Sequence, residues 1–110
     1  MKNEICLARL KEIEVDYHKS YDALRIERSR KRASVLNQWA QENAHFVVGD
    51  IIQSYDTIIC IDKIMGNCNY EKLYCVYYGP VLTKQLKPRK DGFHTEIYDD
   101  GRKVKLIKHK

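Results

Sequence analysis

The sequence predicts an α+β fold in which a helical segment, residues 1–44, packs on a small five-stranded antiparallel barrel or roll formed by residues 45–110. Two observations predict this division. Glycine and proline are absent between residues 2 and 46, where helix-forming residues dominate. From residue 46 onward apolar residues recur with the period of two that is typical of β-strands. Because 110 residues suit one domain, we expect the two segments to form one cooperative unit.

Apolar residues between Cys6 and Leu24 recur at steps of three and four, which places them on one face of an α-helix. The pattern weakens after Leu24 and resumes at Val35. It therefore predicts either one long helix with a polar middle or two helices that break near residues 29–34, with Asn43 as the final helical residue. The residues expected to pack on the sheet, or to contact a partner, are Leu10, Ile13, Tyr17, Tyr21, Leu24 and Trp39.

Three apolar segments predict the first three strands, at residues 46–52 (FVVGDII), 56–64 (DTIICIDKI) and 73–78 (LYCVYY). The polar stretch GNCN, residues 66–69, predicts a turn between the second and third strands. The second and third strands are apolar on both faces, whereas the interior of a small barrel can accept only one face. We therefore expect the helical segment to cover the other face and to be part of the fold.

The last two strands are predicted to form a hairpin around Asp100 and Gly101, because Asp-Gly is a strong signal for a two-residue turn. This register opposes apolar to apolar and acidic to basic residues. The facing pairs would be Ile97 with Val104, Thr95 with Leu106, and Glu96 with Lys105.

The pattern FVVGDII…CVYYGPVLTKQLKPRK, with its closing strands, resembles short hypothetical proteins of bacterial and prophage origin that have an SH3-like barrel. The resemblance covers residues 46–107. It implies the barrel fold, but it implies no activity and no site residues, because the shared motifs are structural.

Positive charge is concentrated at the C-terminal end of the sequence. Residues 81–110 carry nine Lys/Arg against four Asp/Glu, whereas residues 45–80 carry two against four. Cations on extended or loop backbone suit phosphate contacts, and arginines on one helix face suit phosphates or carboxylates. The candidate nucleic-acid-binding residues are Lys84, Lys87, Arg89, Lys90, Lys103 and Lys105, together with the helical Arg25, Arg28 and Arg32. A solvated surface and helical ion pairs are the structural alternatives.

The composition predicts a small non-enzymatic binding module for nucleic acid or a nucleoprotein. One alternative is a protein-interaction module of phage or mobile-element origin that docks on a host protein. Another is a structural homodimer, in which the apolar helix face forms the interface. The four histidines are dispersed, and phosphate-loop and nucleophile motifs are absent from the sequence, so a catalytic site is not predicted. The one pair considered as an acid and base, His94 with Glu96, competes with the pairing of Glu96 to Lys105.

The four cysteines are expected to be mostly core residues, with Cys68 the most exposed; disulfides or a metal site are the alternatives. Their spacing lacks the short paired motif of zinc sites, so we expect neither a metal nor another cofactor. An apolar run long enough to cross a membrane is also absent. A secretory signal is missing as well, so we expect the protein to be cytoplasmic and not bound to a membrane. Its expected oligomeric state is a monomer or a homodimer.

Overall fold

Within the residues that can be described, two helices precede six strands. The computed structural model describes the backbone of residues 1–15 and 21–110 and the side chains of residues 1–13 and 26–110. The elements are α1 (Asn3–Val15), α2 (Tyr21–Asn43), β1 (Ile51–Ser54), β2 (Thr57–Cys60), β3 (Lys63–Asn69), β4 (Lys72–Pro80), β5 (His94–Asp99) and β6 (Val104–Lys108).

Helix α2 continues through residues 29–34, so the alternative of a break there is wrong and the helix is continuous across its polar middle, whereas the predicted end at Asn43 is confirmed. The stretch is rich in Arg, Lys and Ala, which are good helix formers. Lys31 Nζ also lies 3.2 Å from Glu27 Oε1, one turn earlier. Most side chains between residues 26 and 34 are exposed, so the apolar stripe lapses because packing does not require it there.

The strands form two antiparallel three-stranded sheets, a first sheet with the order β2-β1-β6 and a second sheet with the order β3-β4-β5. The predicted second strand is divided at Ile61 and Asp62 into β2 and β3, so its two parts belong to different sheets. The turn predicted at residues 66–69 is wrong, because these residues belong to β3 and the turn follows at Tyr70 and Glu71. The first strand begins later than predicted, after Gly49 with its positive φ of 97°.

The predicted closing hairpin is also wrong. Strand β5 pairs with β4, placing Ile97 opposite Tyr77, and β6 pairs with β1, placing Lys105 opposite Gln53. Ile97 is buried in the core of the second sheet, while the residues between β5 and β6 carry the chain to the first sheet. The two sheets are open rather than a clear five-stranded barrel, but the predicted α+β class is confirmed.

Both helices contribute to the core. Cys6 and Leu10 of α1 are buried in the same cluster as Leu36, Trp39 and Ala40 of α2. The strand residues of this cluster are Ile52, Ile59, Ile61, Ile64, Cys75, Tyr77 and Ile97. The indole Nε1 of Trp39 donates a hydrogen bond to Asn3 Oδ1 at 2.7 Å, which ties the two helices together. The expectation that the helical segment packs on the sheets is therefore confirmed for the described residues.

The individual packing predictions have different outcomes. Leu10 and Trp39 are buried as predicted, and Ile13 is half-buried beside the cleft between α1 and α2. Tyr17 lies outside the described residues. Tyr21 and Leu24 belong to α2, but their side chains also lie outside the described part.

Strand β4 is central in the second sheet, as the apolar sequence around Tyr77 predicts, and Cys75, Val76 and Tyr77 are buried. Helix α2 packs closely on the neighbouring β3 at Gly66. A Cβ atom added to Gly66 would lie 2.1 Å from the carbonyl oxygen of Leu36. The backbone N–H of Gly66 also donates a hydrogen bond to Asn37 Oδ1 at 3.3 Å. Only glycine permits this approach, so the backbone of β3 lies directly against the backbone of α2 at Gly66.

Neither described helix has the combination of length and apolar character that is needed to cross a bilayer.

Candidate nucleic-acid interface

The register of the first sheet brings two distant basic segments to the same end of that sheet. Ser54, the last residue of β1, pairs with Val104, the first residue of β6, so residues 102 and 103 lie beside the β1–β2 turn. On the other side, the backbone N–H of Leu82 donates to the carbonyl of Ile58 at 2.8 Å. This antiparallel contact directs residues 83 and 84 toward the same turn. We call this end of the sheet, where Tyr55 connects β1 to β2, the turn end.

A groove of about 540 Å³ lies at the turn end, and we call it the Tyr55 groove. Its lining combines one aromatic ring, one amide and three cations with a single aliphatic side chain. The lining residues are Gln53, Tyr55, Arg102, Lys103, Val104 and Lys105. Its volume falls in the range of roughly 300–1,000 Å³ that is usual for small-molecule sites.

Tyr55 occupies an unfavourable backbone conformation without burying its ring. Its φ of 55° lies in the left-handed region, which is uncommon for a residue with a bulky side chain. The residue is 76% exposed. The Nε2 of Gln53 donates a hydrogen bond to the Tyr55 carbonyl at 2.7 Å, which holds the turn in this conformation. Core packing therefore does not explain an aromatic residue at this position.

The three cations of the Tyr55 groove differ in their partners. Arg102 Nε lies 3.2 Å from Asp100 Oδ1, and its guanidinium carbon lies 5.3 Å from the centre of the Tyr98 ring. Lys103 and Lys105 are exposed. Among the described residues neither of these lysines forms an ion pair, so both ammonium groups are available to an anion.

The basic loop, residues 84–90, begins at the turn end beside β2 and then folds back, so that Pro88 pairs with Leu82. Its backbone is fixed: the N–H of Thr83 donates to the carbonyl of Lys87 at 2.8 Å, and Leu82 forms a bridge with Pro88. Arg89 Nη2 is paired with Asp91 Oδ2 at 2.7 Å, and the guanidinium carbon lies 5.6 Å from the centre of the Phe93 ring. Three other cations of the loop are exposed without an ion pair in the described structure, and these are Lys84, Lys87 and Lys90.

The helical arginines lie elsewhere. Arg32 lines a small cleft with Cys68, Tyr70 and Glu71, at the β3–β4 turn. The β3–β4 turn follows the last residue of β3, whereas Tyr55 lies before the first residue of β2. The two turns therefore lie at opposite ends of the segment formed by β2 and β3. Arg28 and Arg32 are half-buried and have interactions with other groups of the protein, and the side chain of Arg25 lies outside the described residues. The structure therefore places Lys103, Lys105 and the start of the basic loop at the same end of the first sheet, whereas Arg32 lies at the β3–β4 turn.

A second exposed tyrosine occupies the β3–β4 turn. Tyr70 has a φ of 49° and is 97% exposed, and Glu71 follows with a φ of 63°. The cations near this turn have partners in the protein. Lys11 Nζ lies 3.7 Å from Glu71 Oε1, and Lys72 Nζ donates to the carbonyl of Asp100 at 2.7 Å.

A buried carboxylate anchors the chain beyond β6. Asp50 Oδ1 accepts a hydrogen bond from the backbone N–H of Lys110 at 2.9 Å and lies 2.8 Å from His109 Nδ1, while Oδ2 accepts from the N–H of Val47 at 3.1 Å. Desolvation would raise the pKa of Asp50, but the hydrogen bonds from these groups and the charge of His109 outweigh it and lower the pKa. Strand β6, which carries Lys105, is therefore fixed at its C-terminal end.

The other polar cluster is structural. The Tyr77 hydroxyl accepts a hydrogen bond from the N–H of His45 at 3.2 Å and donates to Asp99 Oδ2 at 3.3 Å. His45 Nδ1 lies 2.9 Å from the same carboxylate oxygen. Burial, and then the neighbouring Cys75, raise the pKa of Tyr77, so the hydroxyl stays neutral. This cluster fastens the α2–β1 connection to the second sheet.

The acid and base pair considered from sequence does not form. His94 stacks on Tyr78 with 5.6 Å between ring centres, whereas Glu96 accepts a hydrogen bond from the Tyr98 hydroxyl at 2.8 Å. Within the described part of the chain, His, Cys, Asp and Glu side chains do not gather in a group of three that could hold a metal ion.

Sequence reasoning missed Tyr55, Gln53 and Arg102. Tyr55 falls in the short gap between two predicted strands, which marks a turn, but no sequence pattern indicates its positive φ. Arg102 directly precedes the predicted Lys103, but the predicted hairpin pairs the strand that follows with β5, whereas the structure pairs it with β1.

Comparisons of the chain with protein-family models, with curated proteins and with solved structures find no match. The fold and the site define a small α+β protein with a basic groove that contains an exposed aromatic ring. Its function has to be inferred from that groove and its surroundings.

Proposed function

We propose that this protein is a small non-enzymatic module that binds nucleic acid through the turn end of its first sheet. The carrying observation is that the register places Lys103 and Lys105 on one side of the Tyr55 turn and the basic loop on the other. Three strand spacings separate the two sides, which is about 14 Å. A polyanion that crosses the turn could contact both sides at once.

The charge state of the lysines supports this function. Phosphate contacts gain free energy mainly by releasing counterions, which requires cations that are not already neutralised within the protein. Five lysines meet this condition in the described structure: Lys103 and Lys105 beside the Tyr55 turn, and Lys84, Lys87 and Lys90 in the basic loop. Such contacts position a ligand without reading its sequence, so we expect weak sequence preference.

The proposal includes the finer prediction of an SH3-like roll. Its support is that β6 returns to pair with β1, and that β2 and β3, counted as one bent strand, would leave five strands in two sheets. A cytoplasmic location is proposed with it, because all four cysteines are free thiols, as is usual in a reducing compartment. A phage or mobile-element origin stays a prediction from sequence.

Fluorescence anisotropy with labelled oligonucleotides tests the function. We expect binding that weakens steeply between 50 and 200 mM salt, the behaviour of a protein with several phosphate contacts. The double variant Lys103→Glu/Lys105→Glu should weaken binding by about tenfold or more. The matched control is Lys2→Glu/Arg9→Glu, which changes the net charge equally at two exposed positions, one just before α1 and one within it. Equal losses in the two double variants would contradict a site at the turn end.

Protein binding is a second candidate, and the free edge of β6 favours it. In the described structure β6 pairs only with β1, and its residues Leu106 and Ile107 are 46% and 37% exposed. An extended peptide could add a strand at such an edge. Under this function Leu106→Lys/Ile107→Lys would abolish binding to a purified partner, whereas under nucleic-acid binding it would leave oligonucleotide affinity unchanged or raise it.

A further inference from the structure

We propose that the Tyr55 groove takes an unpaired nucleotide of a single-stranded nucleic acid, with the base stacked on the Tyr55 ring and flanking phosphates on Lys103 and Lys105. This inference rests on the proposed function and names its ligand class. The observation behind it is that Tyr55 has an exposed ring and an unfavourable backbone conformation, and lies in a groove of about 540 Å³ that is lined with cations.

The position of Tyr55 is the first step. A turn residue with positive φ is normally Gly, Asn or Asp, which adopt the left-handed region at little cost. A tyrosine there sacrifices stability, and an exposed ring recovers little of it by burial. Backbone strain of this kind is concentrated at binding and catalytic sites, because selection retains it for function.

The chemistry of the lining is the second step. An aromatic ring beside cations is the combination by which proteins hold single strands, since every base has a π-face and every linkage has a phosphate. Lys105 lies opposite Gln53 in the register, and cross-strand neighbours have Cβ atoms about 5 Å apart. The side chain of Lys105 therefore shares a face of the sheet with Gln53, and both line the groove together with Tyr55.

The state of the strand follows from the ring. In a duplex both faces of each internal base are covered by its neighbours, so a ring cannot stack on it without unstacking the helix. A basic surface without an aromatic ring would bind a duplex as well as a single strand, because it contacts only phosphates. The tyrosine therefore selects an unpaired base.

The experiment measures anisotropy with three labelled ligands of equal length: oligothymidylate, oligouridylate and a DNA duplex. We expect both single strands to bind at least about tenfold more tightly than the duplex. The affinity for oligothymidylate relative to that for oligouridylate then shows whether DNA or RNA is preferred. Tyr55→Ala should weaken single-strand binding by about tenfold, whereas Tyr55→Phe should stay within about twofold of the wild type. Tyr70→Ala, at the other exposed tyrosine with positive φ, is the matched control and should not change affinity.

Two further variants keep the result independent of folding and show contact directly. Tyr55→Gly removes the ring together with the unfavourable conformation, so it should fold well and still lose the single-strand preference. Tyr55→Trp places a fluorophore in the groove, and its emission should be quenched by oligothymidylate. The wild type supplies the background, because its Trp39 is buried in the core.

The outcomes separate the two proposals. Equal affinity for duplex and single strand, or unchanged affinity in both Tyr55→Ala and Tyr55→Gly, would overturn the inference. If Lys103→Glu/Lys105→Glu still weakens binding by about tenfold or more in that case, the nucleic-acid function stands without the inference. If the wild type binds none of the three ligands, the proposed function itself fails.

Discussion

The β1–β2 turn and the β3–β4 turn carry the same unusual feature with different surroundings. Each presents an exposed tyrosine, Tyr55 or Tyr70, with a positive φ. At Tyr55 two neighbouring lysines lack ion pairs among the described residues, whereas at Tyr70 the nearby Lys11 is paired with Glu71. The two turns therefore differ in the pairing of the cations beside the ring and not in the ring itself, and the proposed site depends on that difference.

The difference follows from what each turn adjoins. The β3–β4 turn lies against the helices, where Glu71 forms an ion pair with Lys11 of α1, and Arg32 of α2 shares a cleft with Tyr70. The β1–β2 turn lies between two sheet edges and adjoins segments with a large excess of positive charge. In the proposed function, the β3–β4 turn and the helices have a structural role and the turn end binds the ligand; the Tyr70 ring, 97% exposed, has no structural explanation among the described residues.

The largest predicted effect tests the structural part of this assignment. Gly66→Ala places a Cβ atom 2.1 Å from the carbonyl oxygen of Leu36, so α2 must move off β3. We expect a loss of about 3 kcal/mol in the free energy of unfolding, measured by urea denaturation.

Gly92→Ala is the control for this loss. Gly92 has a positive φ of 65°, but an added Cβ would meet nothing within 4 Å. Its cost should be the conformational one alone, about 1 kcal/mol. If Gly66→Ala were no more destabilising than Gly92→Ala, the close helix–sheet contact would not exist.

The second prediction compares the cations of the basic loop with exposed cations on or beside the helices. Lys84→Glu/Lys87→Glu/Lys90→Glu should weaken oligonucleotide binding by about tenfold or more and flatten its salt dependence, because up to three phosphate contacts are lost. Arg89 is left unchanged, since its guanidinium pairs with Asp91.

The matched triple variant Lys2→Glu/Arg9→Glu/Arg30→Glu changes the same net charge on the helices, at exposed positions. It should alter affinity much less. A loss as large as that of the loop variant would mean that affinity follows the net charge of the protein and not the position of the cations, which would contradict a site at the turn end.

The third prediction separates stability from binding at the two turns. Tyr55→Gly and Tyr70→Gly each relieve a positive φ and should raise the free energy of unfolding by up to about 1 kcal/mol. Only Tyr55→Gly should lower affinity for oligothymidylate. If it stabilised the fold without changing affinity, the conformation of Tyr55 would have no role in binding.

The smallest predicted effect concerns acid. The pKa of Asp50 is lowered in the folded protein, so its contribution to stability is present above its ordinary pKa of about 4 and is lost as pH falls through the folded value. Amide hydrogen exchange in β6 should therefore quicken at low pH relative to β4. Asp50→Asn should remove this dependence, whereas loosening of β6 on raising the pH would have the wrong sign.

Local patterns predicted much of the fold. The apolar stripe identified Leu10 and Trp39 as core residues, and the apolar run around Tyr77 identified the central strand, because burial requires such patterns wherever it occurs. The end of α2 at Asn43 was predicted for the same reason: the helical pattern stops there.

Long-range pairing could not be predicted from these patterns. The register around Asp100 opposed Ile97 to Val104, but Tyr77 satisfies Ile97 equally well in the second sheet. Complementary pairs are common among alternating strands, so they do not identify the partner strand. The Tyr55 groove depends on that partner, since Lys105 reaches it only through pairing with β1.

The most direct test of the turn-end site is a map of amide chemical shifts during titration of the labelled protein with oligothymidylate. We predict that the largest changes fall at Tyr55, at residues 102–105 and in the basic loop, while the β3–β4 turn and the exposed face of α2 stay unchanged. Changes centred on Tyr70 and Arg32, with none at Tyr55, would contradict the account.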